Sequence, residues 1–275
     1  MKKIYLLMML LATVFVACSD DDDDDNGNGN RDEKGWVVTM NTQVTSTDID
    51  KETFLRCAGS GKMEIDWGDG TISKDLDLPL YEEYDEDNDY TEFTHTYTKA
   101  GTYTITLKGE GKLTLLDTFW GRTTIDITRC PDLIEFDCEG GDLKVLDITK
   151  CTKLVKIHCG DNEELATLDV TKCTELILFS CTNTKLTTLD FSKCSKLEYI
   201  ECGNNQLTSL NINGCSVLED LYAEDNQLDD NAINQICNAL PDRTGKKAGF
   251  VSLGGNKGKG DKTIAERKNW EIWGI

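Results

Sequence analysis

The sequence predicts a mainly β protein, with an N-terminal β-sandwich followed by a right-handed solenoid that ends in a helical cap. Two observations support this prediction. Between residues 36 and 110, short segments rich in β-branched and aromatic residues alternate with turn signals, which is typical of sandwich strands. From residue 111 to residue 275, apolar residues recur with a period of 21 to 22, which is typical of stacked coils.

The first 17 residues form a predicted targeting signal. A basic start precedes an apolar run over residues 4–16, which is too short to span a bilayer comfortably. Ala17 stands directly before Cys18, and the segment resembles the lipobox of bacterial lipoproteins, although Phe15 stands where that pattern prefers Leu. The resemblance implies that residues 1–17 are removed and that Cys18 is lipidated. The alternative is an ordinary secretory signal, and in both cases we expect the protein to leave the cytoplasm.

Residues 18–35 form a predicted disordered, acidic tether, because nothing between Ser19 and Gly35 is apolar enough to bury. An acidic run directly behind a lipidated cysteine resembles the surface-export signals of Bacteroides-type lipoproteins. That resemblance implies a lipid-anchored protein of the outer membrane that faces outward. A merely solvated spacer is the other interpretation, and the two are compatible.

Charge limits the partners of the protein. The formal net charge is -21 and the sequence pI is about 4.4. Such a surface repels the phosphates of nucleic acids and of anionic lipids, so we expect no nucleic-acid partner and no membrane contact except through the lipid anchor. The chain has only two histidines, which leaves few ways to build a histidine-based active site.

The front domain is predicted from strands at residues 36–40, 62–67 and 101–109, the last of which alternates strictly. The segments IDWGDGT (65–71) and HTYTKAGTYTITL (95–107) resemble, in the same order, the two signatures of the PKD-type domain. That resemblance implies a small immunoglobulin-like β-sandwich that serves as a spacer or an adhesion module.

An acidic loop at residues 81–93 invites a calcium interpretation, because Asp85, Asp87 and Asp89 alternate. An EF-hand loop needs Gly at its sixth position and Glu at its twelfth, where this chain has Tyr90 and Thr96. A solvated loop and a calcium site of another kind both stay open.

The repeats begin at Leu143, Leu165, Leu186 and Leu207, after a partial unit from Thr124. They match the pattern L-x-x-L-x-L-x-x-N/C of the leucine-rich repeat, as in Leu197, Ile200, Cys202, Asn205 and Leu207. Each unit holds a second, weaker apolar run, so we expect a parallel sheet on one side and short strands or turns on the other. The repeats resemble the leucine-rich-repeat lipoproteins of Bacteroides-type bacteria and, more distantly, the internalins of Listeria.

The C-terminus is predicted to cap the solenoid. Residues 230–241 have helical apolar spacing, with Asp230 as N-cap and Pro241 as terminator. Residues 250–256 fit one more solenoid strand, and residues 263–274 predict a final helix with a Trp-rich tail.

Nine cysteines fall into two columns with the period of the repeat: Cys130, Cys151, Cys173, Cys194 and Cys215, and then Cys138, Cys159, Cys181 and Cys202, which Ala223 continues. Each occupies an inward slot for a small apolar side chain, so we predict free, buried thiols. Zinc sites favour short C-x-x-C or His-rich clusters, and none is present, so we expect no metal and no cofactor. Export favours disulfides, but side chains on adjacent parallel strands point alongside each other, which strains a bridge.

The outward positions of the predicted parallel sheet form two columns, since the third and fifth positions of L-x-x-L-x-L point away from the core. We predict a ligand-binding cluster at the C-terminal end of these columns, made by Tyr199, Tyr222 and Phe250 with Glu201 and Asp220, and reached along the face by His158 and Leu178. The alternative is that aromatic residues stand here only because they favour strands. The opposite side carries a column of aspartates beside a basic column that we expect to offset their repulsion.

No enzymatic activity is predicted. The chain shows no G-x-S-x-G, H-E-x-x-H or phosphate-loop motif, and a shallow sheet excludes water poorly from a carboxylate pair such as Glu201 and Asp220. The leading hypothesis is a monomeric cell-surface recognition or adhesion lipoprotein that binds a protein partner through the solenoid sheet. A glycan-binding accessory protein of a polysaccharide-uptake system is the alternative, and a structural envelope protein is a third interpretation.

Overall fold

The computed structural model describes residues 35–81, 90–118 and 121–275. Lys34–Ile275 form one compact unit. The predicted signal (1–17), the lipidation site Cys18, the tether up to residue 34 and the three alternating aspartates of the acidic loop lie outside the described residues.

The front of the unit is built from antiparallel strands in two sheets. One sheet has the order β4-β3-β6-β1-β8, and the other includes β7-β2-β5. Both sheets contribute to one hydrophobic core. The strands predicted at 36–40, 62–67 and 101–109 are confirmed by β1, β3 and β6, whose bounds are given below. The strands are β1 (Trp36–Val44), β2 (Glu52–Ser60), β3 (Lys62–Asp66), β4 (Ile72–Asp77), β5 (Thr91–Thr96), β6 (Gly101–Gly109), β7 (Lys112–Thr118) and β8 (Arg122–Asp126).

The repeats fold into a solenoid whose coils each supply one short strand to a parallel sheet. In most of these strands a fully buried apolar residue stands between two half-buried ones, as the repeat predicts. A separate two-stranded sheet, β12 with β14, lies on the other side of the coils. The strands are β9 (Glu135–Asp137), β10 (Lys156–His158), β11 (Leu178–Ser180), β12 (Thr188–Asp190), β13 (Tyr199–Glu201), β14 (Ser209–Asn211), β15 (Asp220–Tyr222), β16 (Gly249–Ser252) and β17 (Trp270–Trp273).

One ten-stranded sheet connects the front strands to the solenoid. Strand β7 pairs antiparallel with β2 on one edge and parallel with β9 on the other, with Leu115 opposite Glu135. The sheet therefore runs through the domain boundary predicted at residues 110/111. On this side of the molecule, the edge of the front sheet at β7 is therefore covered by the first solenoid strand.

Buried asparagines hold the turns that follow the parallel strands. The Asn205 amide donates to the carbonyl oxygens of Cys181, Cys202 and Gly203 at 2.8, 3.3 and 3.2 Å, and its Oδ1 accepts the Leu186 N–H at 3.0 Å. Equivalent bonds recur in other coils, although Thr184 occupies the corresponding position between Asn162 and Asn205. The asparagines of this column are Asn162, Asn205, Asn226 and Asn256.

The C-terminal cap differs in two details from the prediction. The helix α1 (Asp230–Ala239) is capped by the side chain of Asp229, which accepts the Ala232 N–H at 2.8 Å, and not by Asp230. After a four-residue helix, α2 (Thr263–Glu266), the predicted tail is strand β17, which pairs in parallel with β16. Strand β16 itself was predicted and is confirmed. No helix within the described ranges is long and apolar enough to cross a membrane.

The eleven cysteines of the described residues are all free and buried, which agrees with the inward columns. Burial raises the pKa of the Cys151 thiol to about 12 and that of the Cys194 thiol to about 11. Because the thiolate is the reactive form, both burial and the raised pKa protect the sulfurs.

We therefore expect iodoacetamide at pH 8 to label the native protein very slowly. After unfolding in denaturant without reductant, all eleven should label, each adding one carbamidomethyl group in the mass spectrum. Substantial protection of the unfolded chain would mean that disulfides are present, and a parallel sample unfolded with reductant gives the full count for comparison.

The aspartate column on the opposite side is stabilised mainly by local bonds. Asp147 accepts the backbone N–H and the hydroxyl of Thr149 at 2.9 and 2.6 Å, and Asp169 does the same with Thr171. These hydrogen bonds are the main cause of the lowered pKa of both carboxyls, and Lys150 and Lys172 contribute less. The expected basic column is thus a secondary influence, because each carboxylate is held within its own turn.

Candidate functional site

The parallel sheet presents the two predicted columns in register. Tyr199 pairs with Asp220 and Asp220 with Phe250, while Glu201 pairs with Tyr222 and Tyr222 with Ser252. Leu178 precedes Tyr199 in the first column and His158 lies further along the second. All seven candidate residues from the sequence are half-buried on the same face, which we call the sheet face.

Three aromatic side chains cross the sheet face in a zigzag. The ring centroids of Tyr199 and Tyr222 are 5.5 Å apart, and those of Tyr222 and Phe250 are 5.4 Å apart, with interplanar angles of 40° and 41°. Adjacent strands lie about 4.8 Å apart, so rings on diagonal positions reach each other. We call this row of rings the aromatic strip.

Carboxylates surround the middle of the aromatic strip. Asp220 and Glu224 stand two residues before and after Tyr222 on the same coil, and Glu201 stands opposite it on the next strand. Burial raises the pKa of the Tyr222 hydroxyl, and Asp220, Glu201 and Glu224 raise it further. Burial likewise raises the pKa of Tyr199, and Glu201 is the nearest charge that adds to the effect.

The three carboxylates differ in their own contacts. Glu201 accepts a hydrogen bond from the Ser180 hydroxyl at 3.2 Å. Burial raises the pKa of Asp220, although Lys247 opposes the effect. The Oε2 atom of Glu224 is buried and has no hydrogen-bond partner among the described residues.

The N-terminal half of the sheet face is occupied by internal contacts. The Tyr81 hydroxyl donates to Glu135 at 2.6 Å, and Lys156 forms an ion pair with the same carboxylate at 3.2 Å. Leu178, on β11, lies next to Tyr199 at the edge of the aromatic strip. His158 lies one strand further away, on β10. The structure therefore brings Tyr199, Tyr222, Phe250, Glu201 and Asp220 together, and leaves His158 at a distance along the sheet.

Sequence reasoning missed two parts of this surface. Trp273 stands opposite Ser252 on β17 and is 64% exposed, so it extends the zigzag by one ring position. Glu224 was missed because it follows the strand as a third outward position, where the neighbouring coil has Gly203. A Cβ on Gly203 would lie 3.2 Å from the Glu224 carboxyl carbon, so the glycine leaves room for this side chain. The signal for Trp273 was present in the alternation of residues 270–273.

The arrangement is suited to binding. The rings offer rigid, half-exposed apolar area, and the carboxylates offer charge and directed acceptors beside it. The described residues contain no group of three or more His, Cys, Asp or Glu side chains placed to hold a metal ion.

No family model matches the chain, and no curated protein matches it. Among solved structures, an internalin (InlF) from Listeria monocytogenes is 17% identical with a TM-score of 0.42, covering 53% of this chain and 48% of that one. A leucine-rich-repeat protein from Leptospira interrogans is 16% identical with a TM-score of 0.37, covering 53% and 44%. The functional domain of InlJ from Listeria monocytogenes, which includes a cysteine ladder, is 24% identical with a TM-score of 0.34, covering 48% and 34%. The chain thus spans about half the length, or less, of these structures.

Proposed function

We propose that this protein is a non-enzymatic recognition protein that binds a protein partner through the C-terminal half of its sheet face. The aromatic strip is the observation that carries this proposal. Tyr and Trp side chains dominate the binding energy of many interfaces, because they bury large rigid surfaces at low entropic cost. Here three half-buried rings lie next to one another on the sheet face.

The remainder of the chain fits a role in display. We propose that Cys18 is lipidated and anchors a monomer in the outer membrane, and that residues 18–35 hold it away from the surface. The front strands, in a PKD-type sandwich, would serve as the spacer. The support for these points is the sequence of residues 1–35 and the two PKD-like signatures. A glycan ligand of a polysaccharide-uptake system is the alternative, since sugars also stack on aromatic rings beside carboxylates.

The test is a binding comparison between the wild-type full chain and the variant Tyr199→Ala/Tyr222→Ala/Phe250→Ala. Both are probed on arrays of extracellular proteins and of polysaccharides, and each hit is followed by surface plasmon resonance. We expect a protein partner whose affinity falls by about 100-fold or more in the variant, because truncating each central aromatic anchor costs about 1 to 2 kcal/mol.

The matched control truncates three exposed apolar side chains away from the sheet face, in Ile72→Ala/Val145→Ala/Val217→Ala. These residues are 49%, 71% and 44% exposed. The control should bind as the wild type does. A folded aromatic variant that keeps wild-type affinity would remove the proposal, and hits restricted to polysaccharides would replace the protein partner with a glycan.

A further inference from the structure

We propose that the aromatic strip receives an arginine or lysine side chain from a basic segment of the partner, with the cation seated over Tyr222 and between Glu201, Asp220 and Glu224. This inference rests on the proposed function, because it names the chemistry of the partner at the same surface. It requires that the carboxylates beside the strip have no cation bound by ion pairing within the fold. It also requires that the rings offer exposed aromatic surface to a cationic side chain.

The sheet face carries acidic residues along its length, and its bases lie in the N-terminal strands. The N-terminal strands include Lys156, which is paired with Glu135, and His158. From β13 to β17 the outward positions hold Glu201, Asp220 and Glu271 but no basic residue. The C-terminal half of the face is therefore anionic.

The nearby bases do not neutralise these groups. Arg243 lies beside the sheet and is committed to Glu219, at 3.0 Å, and to the Leu218 carbonyl oxygen, also at 3.0 Å. Glu201, Asp220 and Glu224 form no ion pair within the described part of the chain, although Lys247 and, less strongly, Arg243 lower the pKa of Asp220. Half-buried carboxylates that share a surface without partners repel each other, and an added cation relieves that repulsion.

The rings select the kind of cation. A guanidinium or ammonium group over an aromatic face is attracted by the ring quadrupole, and the attraction grows when the site is partly desolvated. The three rings are half-buried and tilted by 40° and 41° to one another, so a planar guanidinium can lie against their exposed parts while its N–H groups reach the carboxylates.

The experiment is an NMR titration of the full chain with the peptide acetyl-Gly-Arg-Gly-Arg-Gly-amide and with its citrulline counterpart. Citrulline has the shape of arginine without the charge. We expect saturable shifts of the aromatic signals of Tyr222 and Phe250 with the arginine peptide, and at least about tenfold weaker binding with citrulline. Binding of the arginine peptide should also weaken as salt is raised. Equal affinity for both peptides, or no shift at the strip, would overturn the inference.

Two triple variants separate local from general charge effects. Glu201→Gln/Asp220→Asn/Glu224→Gln should weaken the arginine peptide by at least about tenfold. The control Glu52→Gln/Glu110→Gln/Glu163→Gln removes the same charge from exposed positions off the sheet face, and should have little effect. Equal losses in both variants would contradict a seat at Tyr222.

The protein partner found on the arrays distinguishes this inference from the proposed function. If the aromatic variant loses that partner while the carboxylate variant keeps it, the proposed recognition at the strip stands. The inference that the partner supplies an arginine or lysine side chain is then wrong. If both variants keep it, both proposals fail. Loss of binding in both is the expected result.

Discussion

Asn205→Ala is expected to lower the free energy of unfolding by about 3 kcal/mol. The side chain is buried and donates to three carbonyl oxygens from two coils. It also accepts the Leu186 N–H and the Thr184 hydroxyl. Alanine removes all of these bonds at once and leaves buried backbone groups without partners, at about 1 to 3 kcal/mol for each group that water does not reach.

Urea denaturation followed by circular dichroism measures this loss. The control is Asn231→Ala, an exposed position in α1 whose side chain has no hydrogen bond to any of the described residues, where the change should stay within about 0.5 kcal/mol. A loss below about 1 kcal/mol at Asn205 would show that water replaces its bonds, and the column of buried asparagines would then not hold the coils together.

Stability is expected to fall between about pH 4 and pH 7 because of Asp117, on the strand that joins the two parts of the sheet. Burial and, to a lesser extent, the neighbouring Asp137 raise the pKa of this carboxyl to about 7, against the opposing effect of Arg56 and Arg122. Asp117 stands in register with Asp137, and its Oδ1 is buried without a hydrogen-bond partner in the described residues. Arg56 approaches its other oxygen at 3.4 Å.

The direction of this pH dependence follows from the number of protons that the folded and unfolded chains bind. The unfolded chain releases the Asp117 proton near the ordinary aspartate pKa of about 3.9. The folded chain keeps the proton until about pH 7. Between these values the folded state binds more protons, so stability is lost as pH rises, by up to about 1.4 kcal/mol per pH unit, and the loss is complete above the folded pKa.

Denaturation midpoints at several pH values for wild type, Asp117→Asn and the exposed control Asp142→Asn check this expectation. Between pH 4 and pH 7 the denaturation midpoint of the control should fall with rising pH as that of the wild type does. The midpoint of the Asp117 variant should fall less steeply. This comparison uses slopes, so it holds even if the substitution changes the absolute stability by removing a partner of Arg56. Identical slopes in all three proteins would show that Asp117 titrates normally.

Much of the solenoid followed from periodicity alone. One coil of 21 or 22 residues brings every residue back above its equivalent, so an inward cysteine predicts an inward cysteine one coil later. The same logic placed Tyr199 opposite Asp220 and Tyr222 opposite Glu201, and the registers agree. Alternation along a strand shows which side chains face the core and which face solvent, because successive side chains point to opposite faces of the sheet.

The terminal elements were less predictable, because they leave the period. The segment at 270–273 was assigned to a tail, yet it forms β17, since the open edge of β16 offers unpaired backbone groups for a further strand. The cap of α1 fell on Asp229 instead of Asp230, and two adjacent aspartates give no local signal for choosing between them. That choice depends on how the helix packs against the last coil.

The sequence by itself determined the repeat, its inward and outward residues, and the aromatic strip with Glu201 and Asp220, because these depend only on spacing along one chain. The tertiary structure alone decided that β7 joins the front strands and the solenoid in one sheet. It also decided that the Tyr81 hydroxyl donates a hydrogen bond to Glu135 and that Asp117 lies beside Asp137. These contacts join segments that are far apart in the chain and follow no common period. Only the packing of one part against the other brings them together.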